Sequence, residues 1–89
     1  MDLIIDLHLT DPVEDPQNAL LHQMEIFEKA LDTAIVKNCY EMRVIHGVGS
    51  GKLKNEIHKY LKGISFVKSY SNEWSPDYGM GSTLIIFHY

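Results

Sequence analysis

The stretch Met42-Arg43-Val44-Ile45-His46-Gly47-Val48-Gly49-Ser50-Gly51-Lys52 decides how this 89-residue chain folds. Its first half is a short apolar run that predicts a strand over residues 42–46. Glycines then occupy every second position, and apolar residues recur at helical spacing as far as Gly63, which predicts a tight turn and a helix. A turn that opens a helix presents unpaired N–H groups to a phosphate, and Lys52 and Lys54 add positive charge. On composition alone, a purely architectural turn is an equally good interpretation.

Two familiar glycine motifs do not fit the spacing of this loop. The phosphate loop of nucleotide hydrolases needs four residues between its first glycine and a Gly-Lys pair, followed by Ser or Thr. Here three residues separate Gly47 from Gly51, and Leu53 follows Lys52. The dinucleotide-binding fingerprint needs two residues before its last glycine and an acid about 20 residues later, and neither is present. The sequence therefore excludes both interpretations.

The segments on either side of the loop complete a β-α-β-α-β-β order. β-Branched and aromatic runs predict further strands over residues 3–8, 66–72 and 83–89. A long helix is predicted to begin at Asp15-Pro16 and to end near Asn38. Residues 73–82, with one proline and two glycines, are expected to form a mobile connection. A strand–helix–strand crossover makes the first two strands parallel, so their carboxyl ends meet at one edge, where open α/β sheets bind ligands.

Composition and charge narrow the class of protein. The length suits one domain, and the single cysteine excludes an intramolecular disulfide. We find no signal peptide and no apolar run long enough for a membrane span, so we expect a cytoplasmic protein that does not bind membranes. The net charge is −4, but residues 41–68 carry six bases against two acids, whereas residues 1–40 carry eight acids against two bases. This asymmetry favours a local anion-attracting patch.

Two histidines are predicted to end the adjacent parallel strands. His8 ends the first strand on the same face as Asp6, and His46 ends the second. Arg43 shares the face of Asp6 if its neighbours in the second strand face the helices, and the two would then form an ion pair. Because histidines beside a phosphate can transfer protons, we interpret Asp6, His8 and His46 as catalytic residues, with Asp6 orienting one imidazole. A structural role is the alternative for each of them.

Other polar and aromatic residues give weaker signals. No pair of Cys or His residues has the spacing of a zinc site, so we predict no metal and no cofactor. Cys39 is expected to be a small buried apolar residue, and Trp74 and Tyr78 to be exposed where a partner could touch them. The remaining histidines are expected to be structural or solvent-facing: His22, His58 and His88.

Three segments also match the pattern of a known family. Ile5-Asp6-Leu7-His8 has an aliphatic residue followed by Asp-Leu-His, and residues 44–53 contain His-Gly-x-Gly-x-Gly-x-Leu. Residues 79–86 contain a glycine turn before an apolar run. In this order they resemble the first motif, the second motif and the closing strand of Smr (small MutS-related) domains. The resemblance covers nearly the whole chain.

The resemblance implies an α/β fold, a two-layer α+β sandwich similar to the C-terminal domain of translation initiation factor three, with a four-stranded mixed sheet and two helices on one face. It implies that residues 1–89 form a single Smr-like domain, of a kind often found at the C-terminus of a larger protein in DNA repair or RNA processing. It also implies DNA or RNA as the partner and, in several members, metal-independent nicking endonuclease activity. The nucleic-acid-binding residues would be Arg43, Gly47, Gly49, Ser50, Gly51, Lys52 and Lys54.

Two departures from the family pattern favour binding over cleavage. Leu9 follows the first motif where the family usually has glycine, and the acids at Asp11, Glu14 and Asp15 would repel a phosphate backbone. The leading hypothesis is therefore a nucleic-acid-binding domain, with nicking as an extension. One alternative is a protein-interaction module that docks through its acidic first half and exposed aromatic residues. A second is a site for a small phosphorylated metabolite.

Overall fold

Six elements follow one another in the computed structural model, which describes residues 2–7, 15–48 and 51–89. They are β1 (Asp2–Asp6), α1 (Pro16–Val36), β2 (Glu41–Ile45), α2 (Lys52–Leu61), β3 (Val67–Ser75) and β4 (Gly79–Phe87). The predicted β-α-β-α-β-β order is thus confirmed. His8, Gly49 and Ser50 lie outside the described residues, so their site roles stay predictions.

The four strands form a mixed sheet in the order β1-β2-β4-β3. β1 and β2 are parallel, with Asp6 opposite Ile45, and β4 is antiparallel to both of its neighbours. At the end of β1, the Gln23 side chain of α1 donates to the Leu7 carbonyl at 2.7 Å. The carboxyl ends of β1 and β2 lie at one edge of this sheet, as the crossover predicts. The start of α2 and the start of β4 meet the end of β2 at the same edge.

Alternate residues of the central strands point toward the helices and form the core. The residues of β2 and β4 that belong to this core cluster are Met42, Val44, Ile85 and Phe87. Both helices cover this face with residues three or four positions apart: Phe27, Leu31 and Ala34 from α1, and Leu53, Ile57 and Leu61 from α2. This confirms a two-layer sandwich with both helices on one face. Within the described residues, no helix is long and apolar enough to cross a membrane.

Both ends of α1 are set by the residues that the sequence indicates. The Asp15 carboxylate accepts from two N–H groups of the first turn, at 3.1 and 3.3 Å. Asn38 adopts a left-handed φ of 55° after the last turn, and the Cys39 N–H then donates back to the Ala34 carbonyl at 2.9 Å. Cys39 itself is buried, as predicted. These local signals therefore place α1 correctly.

The prediction that residues 73–82 form a mobile connection is wrong, because most of them belong to strands. β3 continues to Ser75 and β4 begins at Gly79, so the two strands form a hairpin with a short turn. The Asn72 side-chain amide donates to the Met80 and Ser82 carbonyls at 2.6 and 2.7 Å. The Asn72 side chain thus binds the backbone of this segment. Gly79 supplies the left-handed φ of 58° in the turn, and Gly81 allows two backbone segments to approach closely.

Gly81 is the point where β4 comes closest to the loop after β2. A Cβ atom there would lie 2.9 Å from the Tyr78 carbonyl oxygen and 3.1 Å from the Gly47 Cα. The Gly81 carbonyl accepts from the N–H groups of both His46 and Gly47, each at 2.9 Å. Only a residue without a side chain lets these backbones meet.

We expect Gly81→Ala to lower the free energy of unfolding by about 1–3 kcal/mol, because the new methyl group would overlap two backbone segments that cannot both move aside. Urea denaturation followed by circular dichroism measures this. Gly63→Ala is the matched control, since its Cβ would meet nothing closer than 3.7 Å. An equal loss of stability in the two variants would contradict the close contact.

Candidate functional site

The candidate site lies where the end of β2, the first turn of α2 and the start of β4 meet. His46 and Gly47 directly follow β2, and Gly51 directly precedes α2. Lys52 and Lys54 belong to the first turn of that helix. The topology therefore gathers most of the described loop and lysine residues of the predicted site at one edge of the sheet.

The His46 side chain is buried and bonded through both ring nitrogens. It has 7% of its surface exposed. Its Nδ1 lies 2.9 Å from the Gly47 carbonyl oxygen, and its Nε2 lies 2.8 Å from Thr83 Oγ1. Because a carbonyl oxygen can only accept, Nδ1 carries the proton, and neutral His46 offers Nε2 as an acceptor. This geometry holds the loop in place and leaves neither nitrogen facing solvent.

Thr83 joins His46 to a second histidine, His58 of α2. The Nε2 atom of His58 lies 2.8 Å from the same Thr83 hydroxyl oxygen. A hydroxyl has one proton to donate, and neutral His46 receives it, so the Thr83 oxygen accepts from the Nε2–H of His58. We call this hydrogen-bonded series, in which His58 donates to Thr83 and Thr83 donates to His46, the histidine–threonine chain.

Burial and nearby positive charges lower the pKa of both imidazoles in the histidine–threonine chain, so both are neutral at neutral pH. Burial lowers the pKa of His46, the Gly47 carbonyl opposes this, and the charge of Lys54 adds to the lowering. Burial also lowers the pKa of His58, and His46, Lys54 and Lys62 lower it further. A second proton on either ring would therefore meet both desolvation and positive charge.

Arg43 and Asp6 lie on the open face of the sheet, away from the helices. Nη1 of Arg43 donates to Ser82 Oγ at 3.1 Å, and Nη2 lies 3.8 Å from Glu73 Oε2. The guanidinium thus reaches across β4 to β3, on the side away from β1. These contacts replace the expected pairing of Arg43 with Asp6.

Asp6 and His46 leave the sheet on opposite faces. Asp6 is exposed and lies opposite Ile45 in the strand register. The next residue after Ile45 is His46, which alternation places on the helix face, where Thr83 meets it. An Asp6 carboxylate on the open face is not placed to orient this imidazole. The predicted orienting role of Asp6 therefore concerns His8, which lies outside the described residues.

The first turn of α2 has the charge that an anion site needs. Its N-cap, Gly51, has a φ of 83° and supplies no side-chain cap. The turn contains Lys52 and Lys54 and no acid. Positive side chains at the positive end of a helix are unfavourable by themselves, and the N–H groups there need acceptors. A bound anion would satisfy both requirements.

His58 and Thr83 lie at the site although their sequence positions did not predict a role there. His58 was expected to be structural or solvent-facing, whereas it is half-buried and hydrogen-bonded beside the loop. Its only sequence signal is its position on the flank of an amphipathic helix. Thr83 lies opposite Val44 in the antiparallel pairing, and that register is what brings its hydroxyl to both histidines.

We expect Thr83→Val to lower the free energy of unfolding by about 1–3 kcal/mol, because it leaves the buried Nε2 of His46 without a donor while keeping the side-chain shape. Thr83→Ser is the control, because it keeps the hydroxyl and loses one methyl group, worth about 0.8 kcal/mol. Chemical denaturation of the two variants compares them directly. A valine variant as stable as the serine variant would show that the hydroxyl contributes nothing.

We also expect the free energy of unfolding to decrease as the pH falls below 6.5, the ordinary histidine pKa. In the unfolded chain His46 and His58 take up protons at that value, whereas in the folded chain their pKa values are lower. Protons therefore favour the unfolded state between the two values, and the full stability is present above them. Denaturation at a series of pH values measures this. His58→Gln should make the dependence shallower, and an unchanged slope would contradict the assignment.

A model of the Smr domain family matches residues 19–88. Among curated proteins, Endonuclease MutS2 of Streptococcus gordonii is 31% identical over 64 residues and that of Streptococcus sanguinis 33% over 64 residues, each alignment covering 72% of this chain. Endonuclease MutS2 of Fusobacterium nucleatum is 40% identical over 58 residues, or 65% of this chain. Each alignment covers 8% of the relative, so the chain spans a small part of these proteins.

A solved structure shows the same fold. The crystal structure of the Smr domain of Thermus thermophilus MutS2 is similar to this chain with a TM-score of 0.75 and 22% sequence identity. The similarity covers 96% of each chain. The family match over residues 19–88 and the similarity in fold therefore agree. This chain belongs to the Smr domain family.

Proposed function

We propose that the chain binds nucleic acid and holds a backbone phosphate at the first turn of α2. The observation that carries this proposal is the pair Lys52 and Lys54 at the N-terminus of a helix that begins at Gly51 without a side-chain cap. Positive side chains in such a turn add to the positive end of the helix dipole and attract an anion. Family membership supports the choice of anion, because the similar proteins are named as endonucleases, which act on nucleic acids.

The beginning of the loop that would approach the phosphate, His46 and Gly47, is held in place before any ligand arrives. The Gly47 N–H is bonded to the Gly81 carbonyl, and the Gly47 carbonyl accepts from His46. Fixing the loop in advance lowers the entropy that binding costs. We propose that Gly49 and Ser50, which complete this loop, contribute further contacts, and that Arg43 acts from the open face.

We also propose that the chain cleaves the nucleic acid that it binds, which the names of the relatives favour. We propose Asp6 and His8 as the residues that would meet a scissile phosphate. His46 acts as a positioning residue, since both of its ring nitrogens are bonded within the protein. Proton transfer at the phosphate would then depend on His8 rather than on His46.

Binding is tested by fluorescence anisotropy with labelled single-stranded RNA, single-stranded DNA and duplex DNA over a range of salt concentrations. We expect Lys52→Gln and Lys54→Gln each to weaken binding and to reduce the slope of log affinity against log salt, by about 0.9 per lost contact on duplex and about 0.7 on single strands. The matched control is Lys37→Gln, which makes the same charge change just beyond the far end of α1.

Two outcomes would contradict the binding proposal. Absence of binding at low salt would favour the protein-interaction module, for which Trp74 and Tyr78 are exposed as predicted, at 67% and 43%. Equal loss of affinity in all three lysine variants would show that net charge, rather than the first turn of α2, controls binding. Inorganic phosphate that binds the loop when nucleic acid does not would favour the small-metabolite alternative.

The same samples test cleavage on supercoiled plasmid and structured RNA, with and without a chelator. If Asp6 takes part in the reaction, Asp6→Asn should abolish nicking while affinity is kept. His46→Gln should reduce nicking and stability together, because it loosens the loop. Equal nicking by all variants would remove both residues from the mechanism.

A further inference from the structure

One flank of α2 carries a row of basic residues that extends beyond the first turn. Lys54, His58 and Lys62 are four residues apart, so they lie above one another on the helix surface, about 6 Å apart along the axis. The buried residues Leu53, Ile57 and Leu61 lie one position before each of them and face the core. The row therefore lies at the margin between α2 and the sheet, and we call it the basic row.

The basic row borders the margin between α2 and β3, which we call the groove. β3 is an edge strand of the sheet, so no further strand closes this side. Tyr70 of β3 lies opposite the buried Ile85 and thus on the helix face. Its ring lies edge-on to His58, with 4.9 Å between the centroids. The groove consequently has α2 as one wall and the margin of β3 as the other.

Positive charge lies at both ends of the basic row, on Lys54 and Lys62. His58 is affected by the positive charges of Lys54 and Lys62 and by His46 across the Thr83 hydroxyl, while Tyr70 is its neighbour from β3. No carboxylate among the described residues offsets these groups at His58. Neither Lys54 nor Lys62 forms an ion pair within the described part of the chain. In a chain of net charge −4, such a concentration of positive charge needs an external counter-charge.

We propose that the basic row is a second section of the nucleic-acid interface, along which one phosphodiester strand runs from the first turn of α2 past His58 to Lys62. This inference rests on the proposed function and adds the path of the strand. Lys54 and Lys62 lie about 12 Å apart along the axis with His58 midway between them, and such a row suits a ligand with a regularly repeated negative charge, as successive phosphates are. An acidic peptide is the competing ligand class, and the experiment distinguishes it.

A strand on this path would couple binding to protonation of His58. The unbound His58 is neutral at neutral pH because burial lowers its pKa, and His46 and the positive charges of Lys54 and Lys62 lower it further. Phosphates placed against the row would favour the charged imidazole, so each bound strand takes up a proton as the pH falls. Affinity should therefore rise on acidification, in the direction opposite to that of the stability of the fold.

The test compares Lys62→Gln with Lys59→Gln. Lys59 is exposed on the same helix and has the same charge, but it points about 100° away from His58 and out of the groove. We expect Lys62→Gln to weaken binding of a single-stranded oligonucleotide about two- to fivefold and to reduce the salt slope by about 0.7, with Lys59→Gln unchanged. Circular dichroism melts confirm that both variants fold.

Three results would overturn the proposed path. If Lys52→Gln and Lys54→Gln weaken binding but Lys62→Gln matches Lys59→Gln, the proposed function stands and the path along the basic row is wrong. If the unchanged protein binds no nucleic acid, both fall together. If Lys62→Gln reduces binding of a polyglutamate peptide as much as binding of the oligonucleotide, the row is a general acidic-ligand site.

A pH series provides an independent readout. Between about pH 8 and pH 5.5 the unchanged protein should bind more tightly as the pH falls, spanning the ordinary histidine pKa. His58→Gln should bind as tightly as the unchanged protein at the highest pH of the series, and its affinity should increase less as the pH falls. Parallel pH profiles for the two proteins would contradict a role for His58.

Discussion

Two N–H groups donate to one carbonyl oxygen, that of Gly81, and the site depends on this contact. The donors, His46 and Gly47, belong to the loop after β2, so the contact ties that loop to β4. Because Gly81 approaches Gly47 too closely for any side chain, the register of β4 is set at this point. Two residues further along, on the helix face, Thr83 then meets His46 and His58.

The order of protons in the histidine–threonine chain follows from this geometry. A carbonyl oxygen at one end accepts a proton from His46, and that single requirement determines which atom donates at each later step. Burial and nearby lysines keep the imidazoles neutral, so the order persists at neutral pH. The histidine–threonine chain thereby connects the loop to α2. The first turn of this helix carries the proposed anion site, and its flank carries the basic row.

Much of the fold could be predicted because its signals are local. The Asp15 cap, the left-handed Asn38 and the alternation around Met42 and Val44 depend on a few neighbouring residues, and the structure confirms all three. The hairpin over residues 73–82, the partners of Arg43 and the histidine–threonine chain were not predicted. Each of these depends on which residue of β4 lies opposite which residue of β2 or β3, and that register arises from contacts distant in sequence.

The edge position of β1 has a consequence for motion. β1 hydrogen-bonds with a single neighbour, whereas β2, β4 and β3 form a continuous antiparallel unit. Opening of β1 breaks that one ladder and exposes Leu7, together with Leu3 and Ile5, which pack against the core. Asp6 travels with it, while His46 stays with β2. Local opening of β1 would therefore displace Asp6 while the His46 contacts that anchor the loop stay intact.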